Sequence, residues 1–217
     1  MITARHLFAD ADILARNLAI NVAASLRQAL AANEKATIAV SGGTTPQKFF
    51  EALSHQKLDW PRITVTLVDE RQVDETSPRS NARLVRAALI QNQAAQVRFV
   101  PLYQNPAAAD EPDFDMVILG MGDDGHTASF FPGGDTLAEA LSPASPDLLA
   151  ISAPGSGEPR LTFSLRKLLA AKEVILHIQG AAKQATLDKA LSPGDVLDMP
   201  IRAVLRSAKP IEIYWCP

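Results

Sequence analysis

A chain of 217 residues with 47% hydrophobic residues, 21% charged residues and a formal net charge of −3 has the make-up of a soluble globular protein long enough for one full core, read as a single domain over residues 1–217. The slightly acidic balance, with no run of lysine and arginine to meet a phosphate backbone, argues against a nucleic-acid partner. No apolar run approaches the roughly 20 residues that a membrane helix needs, so no membrane association is expected.

The start Met-Ile-Thr-Ala-Arg-His lacks the charged-then-apolar layout of a signal peptide. Cys216, the only cysteine, has no internal partner for a disulfide, and the cytoplasm is the expected compartment. The first periodic segment, Asp10 to Ala32, carries Leu14, Leu18, Val22, Leu26 and Leu30 at four-residue spacing, with Arg16, Arg27 and Gln28 off the stripe. That spacing predicts an amphipathic helix packed on a core. Short apolar, β-branched runs follow: Thr37 to Val40, Ile63 to Val68, Val97 to Val100, Met116 to Leu119, Leu148 to Ile151, Val174 to Ile178 and Ile211 to Trp215. Helical patterns at Gln47 to Leu53, Asn81 to Ile90 and Ala181 to Leu191 intervene. Several of the strands are apolar on nearly every residue, as a strand covered on both faces must be. The expected class is therefore α/β, a mainly parallel, Rossmann-like sheet with helices on both faces. The stretches from Asn105 to Asp113 and from Ser142 to Asp147 read as surface loops.

Sheets of this kind bind ligands outside the carboxyl ends of their strands, and the polar motifs fall there. Ser41-Gly42-Gly43-Thr44-Thr45-Pro46 joins a strand to a helix that Pro46 can open. Its glycines allow close approach of the backbone, and free amides with hydroxyls from Ser41, Thr44 and Thr45 suit an anion such as phosphate. A plain tight turn is the competing reading. Asp69-Glu70-Arg71, closing the next strand and followed by Ser80-Asn81, offers two carboxylates and a guanidinium for orienting a substrate, against a solvated charge cluster as the alternative. The run Gly120-Met121-Gly122-Asp123-Asp124-Gly125-His126-Thr127-Ala128-Ser129-Phe130-Phe131-Pro132 places a histidine behind a glycine-rich turn. No second histidine or cysteine lies at ligand spacing, so no metal is expected with Asp123 and Asp124. An imidazole beside a helix N-terminus is instead expected to stay neutral and to accept a proton. His177 falls in an apolar strand pattern and reads as a packed residue, while His6 and His55 look peripheral. Arg160, opening a strand-like segment, and Lys183, just past a strand end, are the candidate cations for a phosphate.

Taken together, Ser41 to Pro46, Asp69-Glu70-Arg71, Ser80-Asn81, Gly120 to Pro132, Pro159-Arg160-Leu161-Thr162 and Gly180-Ala181-Ala182-Lys183 resemble the glucosamine-6-phosphate isomerase/6-phosphogluconolactonase family, in the family's order. Phe130-Phe131 stands where the family often has leucine before phenylalanine, and Gly157-Glu158-Pro159 where prolines are common. The resemblance implies hydrolysis of 6-phospho-D-glucono-1,5-lactone to 6-phospho-D-gluconate in the oxidative pentose phosphate pathway. It implies His126 as the base that activates water, with Asp69 or Asp124 as orienter. Arg71 and the amides of the Gly120 to Gly125 turn would stabilise the tetrahedral anion. Ser41, Gly42, Gly43, Thr44, Arg160 and Lys183 would hold the phosphate, and no cofactor is needed. The only partner implied is the small sugar-phosphate lactone; the oligomeric state stays open, with a monomer favoured. Two rivals remain. A glucosamine-6-phosphate deaminase would carry an aromatic residue at the position of Arg71 and an acidic residue where this chain has Phe130-Phe131-Pro132. A non-catalytic effector domain of a transcription regulator would carry a DNA-binding helix pair, for which the N-terminal segment has no room.

Overall fold

The computed structural model describes residues 1–154 and 156–217. The chain opens with a strand absent from the sequence reading, β1 (Ile2–Leu7), whose side chains alternate between half-buried and exposed. Helix α1 (Ala11–Ala32) begins where expected, because Asp10 Oδ1 accepts the amide of Ile13 at 2.8 Å and so satisfies a free N–H of the first turn. Leu14, Leu18, Val22 and Leu26 are fully buried along one face, each worth about 1.5–3 kcal/mol relative to exposure. Next come β2 (Ala36–Val40), α2 (Gln47–Ser54), β3 (Ile63–Leu67), β4 (Asp69–Arg71), α3 (Asn81–Ala88), β5 (Arg98–Val100) and β6 (Met116–Leu119). The second half holds α4 (Leu137–Leu141), β7 (Leu148–Ile151), β8 (Arg160–Phe163), α5 (Leu165–Ala170), β9 (Glu173–Gln179), α6 (Ala181–Leu191), α7 (Ile201–Leu205) and β10 (Ile211–Cys216).

Seven strands form one parallel sheet in the order β1-β10-β9-β6-β2-β3-β5. Every residue of β2, β3 and β6 is buried, which is the burial of strands covered on both faces. Helices α1, α2 and α3 pack in one group and α4 to α7 in another. The fold class expected from the sequence is the one observed.

Leu148 to Ile151 is a correction. It pairs not with the parallel sheet but in a second, antiparallel one of order β4-β8-β7, where Leu149 and Ile151 turn inward and Ala150 is exposed. Its alternation marks a strand with one covered face. The chain changes sheets at Val68, whose amide donates to Val40 O while its carbonyl accepts from Phe163 N, both at 3.0 Å. This corner makes Asp69-Glu70-Arg71 a strand of its own and swings it over the carboxyl ends of the parallel sheet. The stretch Asn105 to Asp113 holds a 3-10 turn at Pro106–Asp110 and buries Ala108 and Glu111.

The topology fixes where a ligand can sit. From β2 the chain runs outward through β3 and β5, then returns to place β6 on the other side of β2. The crevice beyond the carboxyl ends of β2 and β6 is thus the switch point of the sheet.

Candidate active site

Because β2 and β6 are neighbours, the turns that follow them meet. Ser41 N donates to Ile118 O at 3.0 Å, and Gly120 N donates to Ser41 Oγ at 2.9 Å. Between them opens a cleft of about 330 Å³. Ser41, Gly42, Gly43 and Thr44 line one wall, His126 and Phe131 another, and Asp69, Arg71, Arg160 and Lys183 complete it. Asp124 stands behind His126 rather than on the wall. Residues spread over more than 140 positions of sequence therefore converge on one space.

His126 is held by its own turn. Gly122 N donates to His126 O at 2.8 Å, Gly125 N to Gly122 O at 3.1 Å, and Thr127 Oγ1 to Gly120 O at 2.7 Å. The C-terminal elements brace this turn from outside, through Ile201 N to Gly125 O at 2.9 Å and Thr186 Oγ1 to Asp123 O at 3.1 Å. No helix follows His126 directly, and the next in sequence begins only at Leu137. The partner of the imidazole is instead a carboxylate: Asp124 Oδ1 lies 2.6 Å from His126 Nδ1 and accepts the His126 amide at 3.0 Å. The hydrogen bond from His126 holds the Asp124 carboxyl down at about 2, against a smaller opposing effect of burial. An ionised carboxylate can only accept, so in the neutral ring Nδ1 carries the proton and Nε2 is left as the acceptor. The Phe131 ring packs on the imidazole with centroids 4.4 Å apart.

Gly122 is a glycine for a steric reason, since a Cβ there would lie 2.1 Å from His126 Nδ1 and 2.6 Å from Asp124 Oδ1. The same holds for Gly42 on the facing turn, where a Cβ would lie 2.0 Å from Asn81 Oδ1. Asn81 in turn donates to Asp69 O at 3.0 Å and accepts from Arg71 Nη1 at 3.2 Å, which ties the glycine turn to Arg71. What places Asn81 is Glu70. Its buried carboxylate accepts the amides of Arg71, Asn81 and Ala82 and the Ser80 hydroxyl, and burial pushes its carboxyl above the ordinary value against those bonds. Glu70 therefore anchors the start of α3, while Asp69 faces the cleft.

Arg71 and Arg160 are register partners across β4 and β8, so two guanidinium groups stand side by side. Asp69 Oδ2 lies 3.7 Å from Arg160 Nη1 and accepts from Ser129 Oγ at 2.5 Å. Burial pulls the Arg160 guanidinium below its ordinary value, with Asp69 opposing, and Phe131 lies 5.2 Å beneath it. The Nε atoms of both Arg71 and Arg160 are buried with no protein acceptor among the described residues. Buried donors of this kind await a ligand oxygen or a water. Lys183 Nζ reaches into the same cleft and pairs with Asp123 at 2.7 Å.

With this geometry the family is decided by comparison. The family described as glucosamine-6-phosphate isomerases/6-phosphogluconolactonase matches residues 9–215. The chain belongs to that family. A 6-phosphogluconolactonase of Rhizobium meliloti is 48% identical, with 98% of each chain covered. One of Pseudomonas aeruginosa is 46% identical, covering 94% of this chain and 90% of the relative. The crystal structure of a 6-phosphogluconolactonase from Shewanella baltica superposes with a TM-score of 0.94 at 36% identity, covering 99% of this chain and 98% of that one. A monomeric glucosamine-6-phosphate deaminase shares the fold, with a TM-score of 0.76 at 17% identity.

Four features of the family member's cleft escaped sequence reasoning. The anchoring by Glu70, the Asn81 bridge, the Ser129 bond to Asp69 and the Asp123–Lys183 pair all join residues distant in sequence, and only the hydroxyl and amide content of the motifs hinted at them. His177 also differs in part from expectation. It is packed as predicted, edge-on to Phe49 with centroids 6.0 Å apart, yet its ring also lines the cleft floor. Burial lowers its pKa from 6.5 to about 4. The unfolded chain therefore takes up this proton at a higher pH than the native one, so stability is full above 6.5 and falls as the pH drops towards 4. The expected loss over that window is about 3 kcal/mol. Urea unfolding across that range should show the slope in the wild type and a shallower one in His177→Leu; equal slopes would refute it.

Proposed function

We propose that this chain hydrolyses 6-phospho-D-glucono-1,5-lactone to 6-phospho-D-gluconate in the cytoplasm, as a single domain and without a cofactor. The observation that carries the reading is a cleft with two chemically different ends, an oriented imidazole at one and, at the other, two neighbouring guanidinium groups whose Nε atoms have no protein acceptor among the described residues. Lactone hydrolysis needs a nucleophilic water, a base for its proton and donors for the oxyanion. His126 Nε2 takes the proton of the water that attacks the ring carbonyl, and Asp124 holds the tautomer and stabilises the imidazolium that forms. Collapse of the tetrahedral anion breaks the ring ester, and the imidazolium returns its proton to the departing ring oxygen.

Arg71 moves in role. Its tie to Asn81 beside Gly42 and its pairing with Arg160 favour the phosphate end over the carbonyl end. Stabilisation of the oxyanion then falls to the His126 turn, where the Met121 and Asp123 amides have no protein acceptor among the described residues. The amides and hydroxyls of Ser41 to Thr44, with Arg71, Arg160 and Lys183, hold the dianion, and that remote binding energy positions the carbonyl for attack. Asp69 keeps Arg160 in place through a bond network that includes Ser129.

The deaminase reading has no observation in its favour: Arg71 and Phe131 occupy positions facing the cleft. The test separates the two ends by substrate. Lys183→Ala removes one charge-assisted contact, worth about 1.5–3 kcal/mol, so kcat/KM for the phosphorylated lactone should fall roughly ten- to a hundredfold. Glucono-1,5-lactone without the phosphate should lose far less. Equal proportional losses would detach Lys183 from the phosphate.

A further inference from the structure

The cations of the cleft do not have equivalent counter-ions. The carboxylate beside Arg160 is Asp69, buried and fixed by the Ser129 hydroxyl at 2.5 Å. Lys183 is paired instead with Asp123, at 2.7 Å, and the Asp123 side chain is 74% exposed against 21% for Lys183. Beyond that pair, the described residues tie down only the backbone of Asp123, through the Thr186 hydroxyl on its carbonyl. The Asp123 side chain can therefore turn into water at little cost, and Lys183 cannot.

We infer that Asp123 is the counter-ion that a sugar phosphate displaces from Lys183, and that it thereby sets how tightly the cleft holds phosphorylated ligands. The inference rests on the reading of Lys183 as part of the phosphate end. In the free protein the Asp123 carboxylate occupies the ammonium group as a weak, local substitute for a phosphate. A phosphate dianion offers more charge and more acceptor oxygens, so it wins the ammonium. A carboxylate left in place would face that dianion with like charge, so Asp123 swings away. When the phosphorylated product leaves, Asp123 returns and shields the vacated cation. Asp123 is thus a positioning residue whose effect runs through Lys183, and it trades affinity for release. Exposed ion pairs of this kind carry small free energies, which correspond to about a two- to fivefold change in binding.

The experiment uses inorganic phosphate as a competitive inhibitor of lactone hydrolysis in the wild type, Asp123→Asn, Lys183→Ala and the double variant. Asp123→Asn keeps the side-chain volume and the backbone bond to Thr186, so the fold is not the variable. The inhibition constant should fall about two- to fivefold in Asp123→Asn, with KM for the phosphorylated lactone falling by the same factor and kcat not rising. In the Lys183→Ala background the same substitution should have no effect, which makes the coupling between the two residues the measured quantity. An unchanged or raised inhibition constant in Asp123→Asn overturns the inference, as does an equal tightening with Lys183 absent, which would mean a general field effect. A wild-type inhibition constant in Lys183→Ala would instead sink the phosphate-end reading, and the inference with it.

Discussion

His126→Ala should lower kcat for the phosphorylated lactone by about two to four orders of magnitude, the usual contribution of general acid–base catalysis, with a much smaller change in KM. The expectation rests on a specific arrangement. Asp124 accepts the Nδ1 proton at 2.6 Å and is held ionised by that bond, so the neutral imidazole presents Nε2 as its acceptor. Removing the ring removes that oriented acceptor, while the proposed phosphate contacts on the other walls stay. His126→Gln is a useful companion, because it restores bulk beside Phe131 without a comparable base. Steady-state rates of both variants, corrected for spontaneous hydrolysis, decide the matter; a folded His126→Ala enzyme with near wild-type kcat would take histidine out of the mechanism.

Gly122→Ala should be almost as damaging, although it adds one methyl group to a residue with no side chain. That methyl would lie 2.1 Å from His126 Nδ1, 2.2 Å from Cε1 and 2.6 Å from Asp124 Oδ1. Either the imidazole leaves its carboxylate or the turn opens, and both outcomes misplace Nε2. Overpacking of this sort costs about 1–3 kcal/mol of stability, which a core of this size tolerates, so the variant should fold. Its kcat should drop by roughly two to three orders of magnitude, and its inhibition by inorganic phosphate should change by no more than about fivefold, because the cations proposed to hold the phosphate lie on other elements. Unimpaired kcat would mean that the His126–Asp124 contact is not needed for turnover.

What the sequence made readable, and what it hid, follows from the range of each interaction. The buried stripe of α1, the apolar and threonine runs of β2 and β3 and the wholly apolar run of β6 carry their burial in their own residues, so their type and place are legible directly. β1 hid because an edge strand with Arg5 and His6 among its residues lacks a continuous apolar run. Helices α4, α5 and α7 span only five or six residues each, too few for a helical repeat to show. The antiparallel pairing of Leu148 to Ile151 is hidden because a strand of four residues does not carry its partners in its own pattern. The candidate site divides the same way. Glycine turns and charged motifs at strand ends are local and stood out; the choice of Asp124 over Asp69 as partner of His126 needed coordinates, since both carboxylates were open to that role. The position of Arg71 beside Arg160 depends on the register of β4 with β8, which no local pattern encodes.

Opening a phosphorylated lactone with protein groups alone is the activity proposed for this cleft. It is tested most directly by supplying freshly generated 6-phosphogluconolactone to the purified protein in the presence of EDTA and subtracting spontaneous hydrolysis, beside an assay for ammonia release from glucosamine 6-phosphate. Rapid lactone consumption that the chelator does not reduce is expected, with no release of ammonia. Lactone decay no faster than in buffer, activity that vanished with EDTA and returned with a divalent ion, or ammonia released from the amino sugar would contradict it.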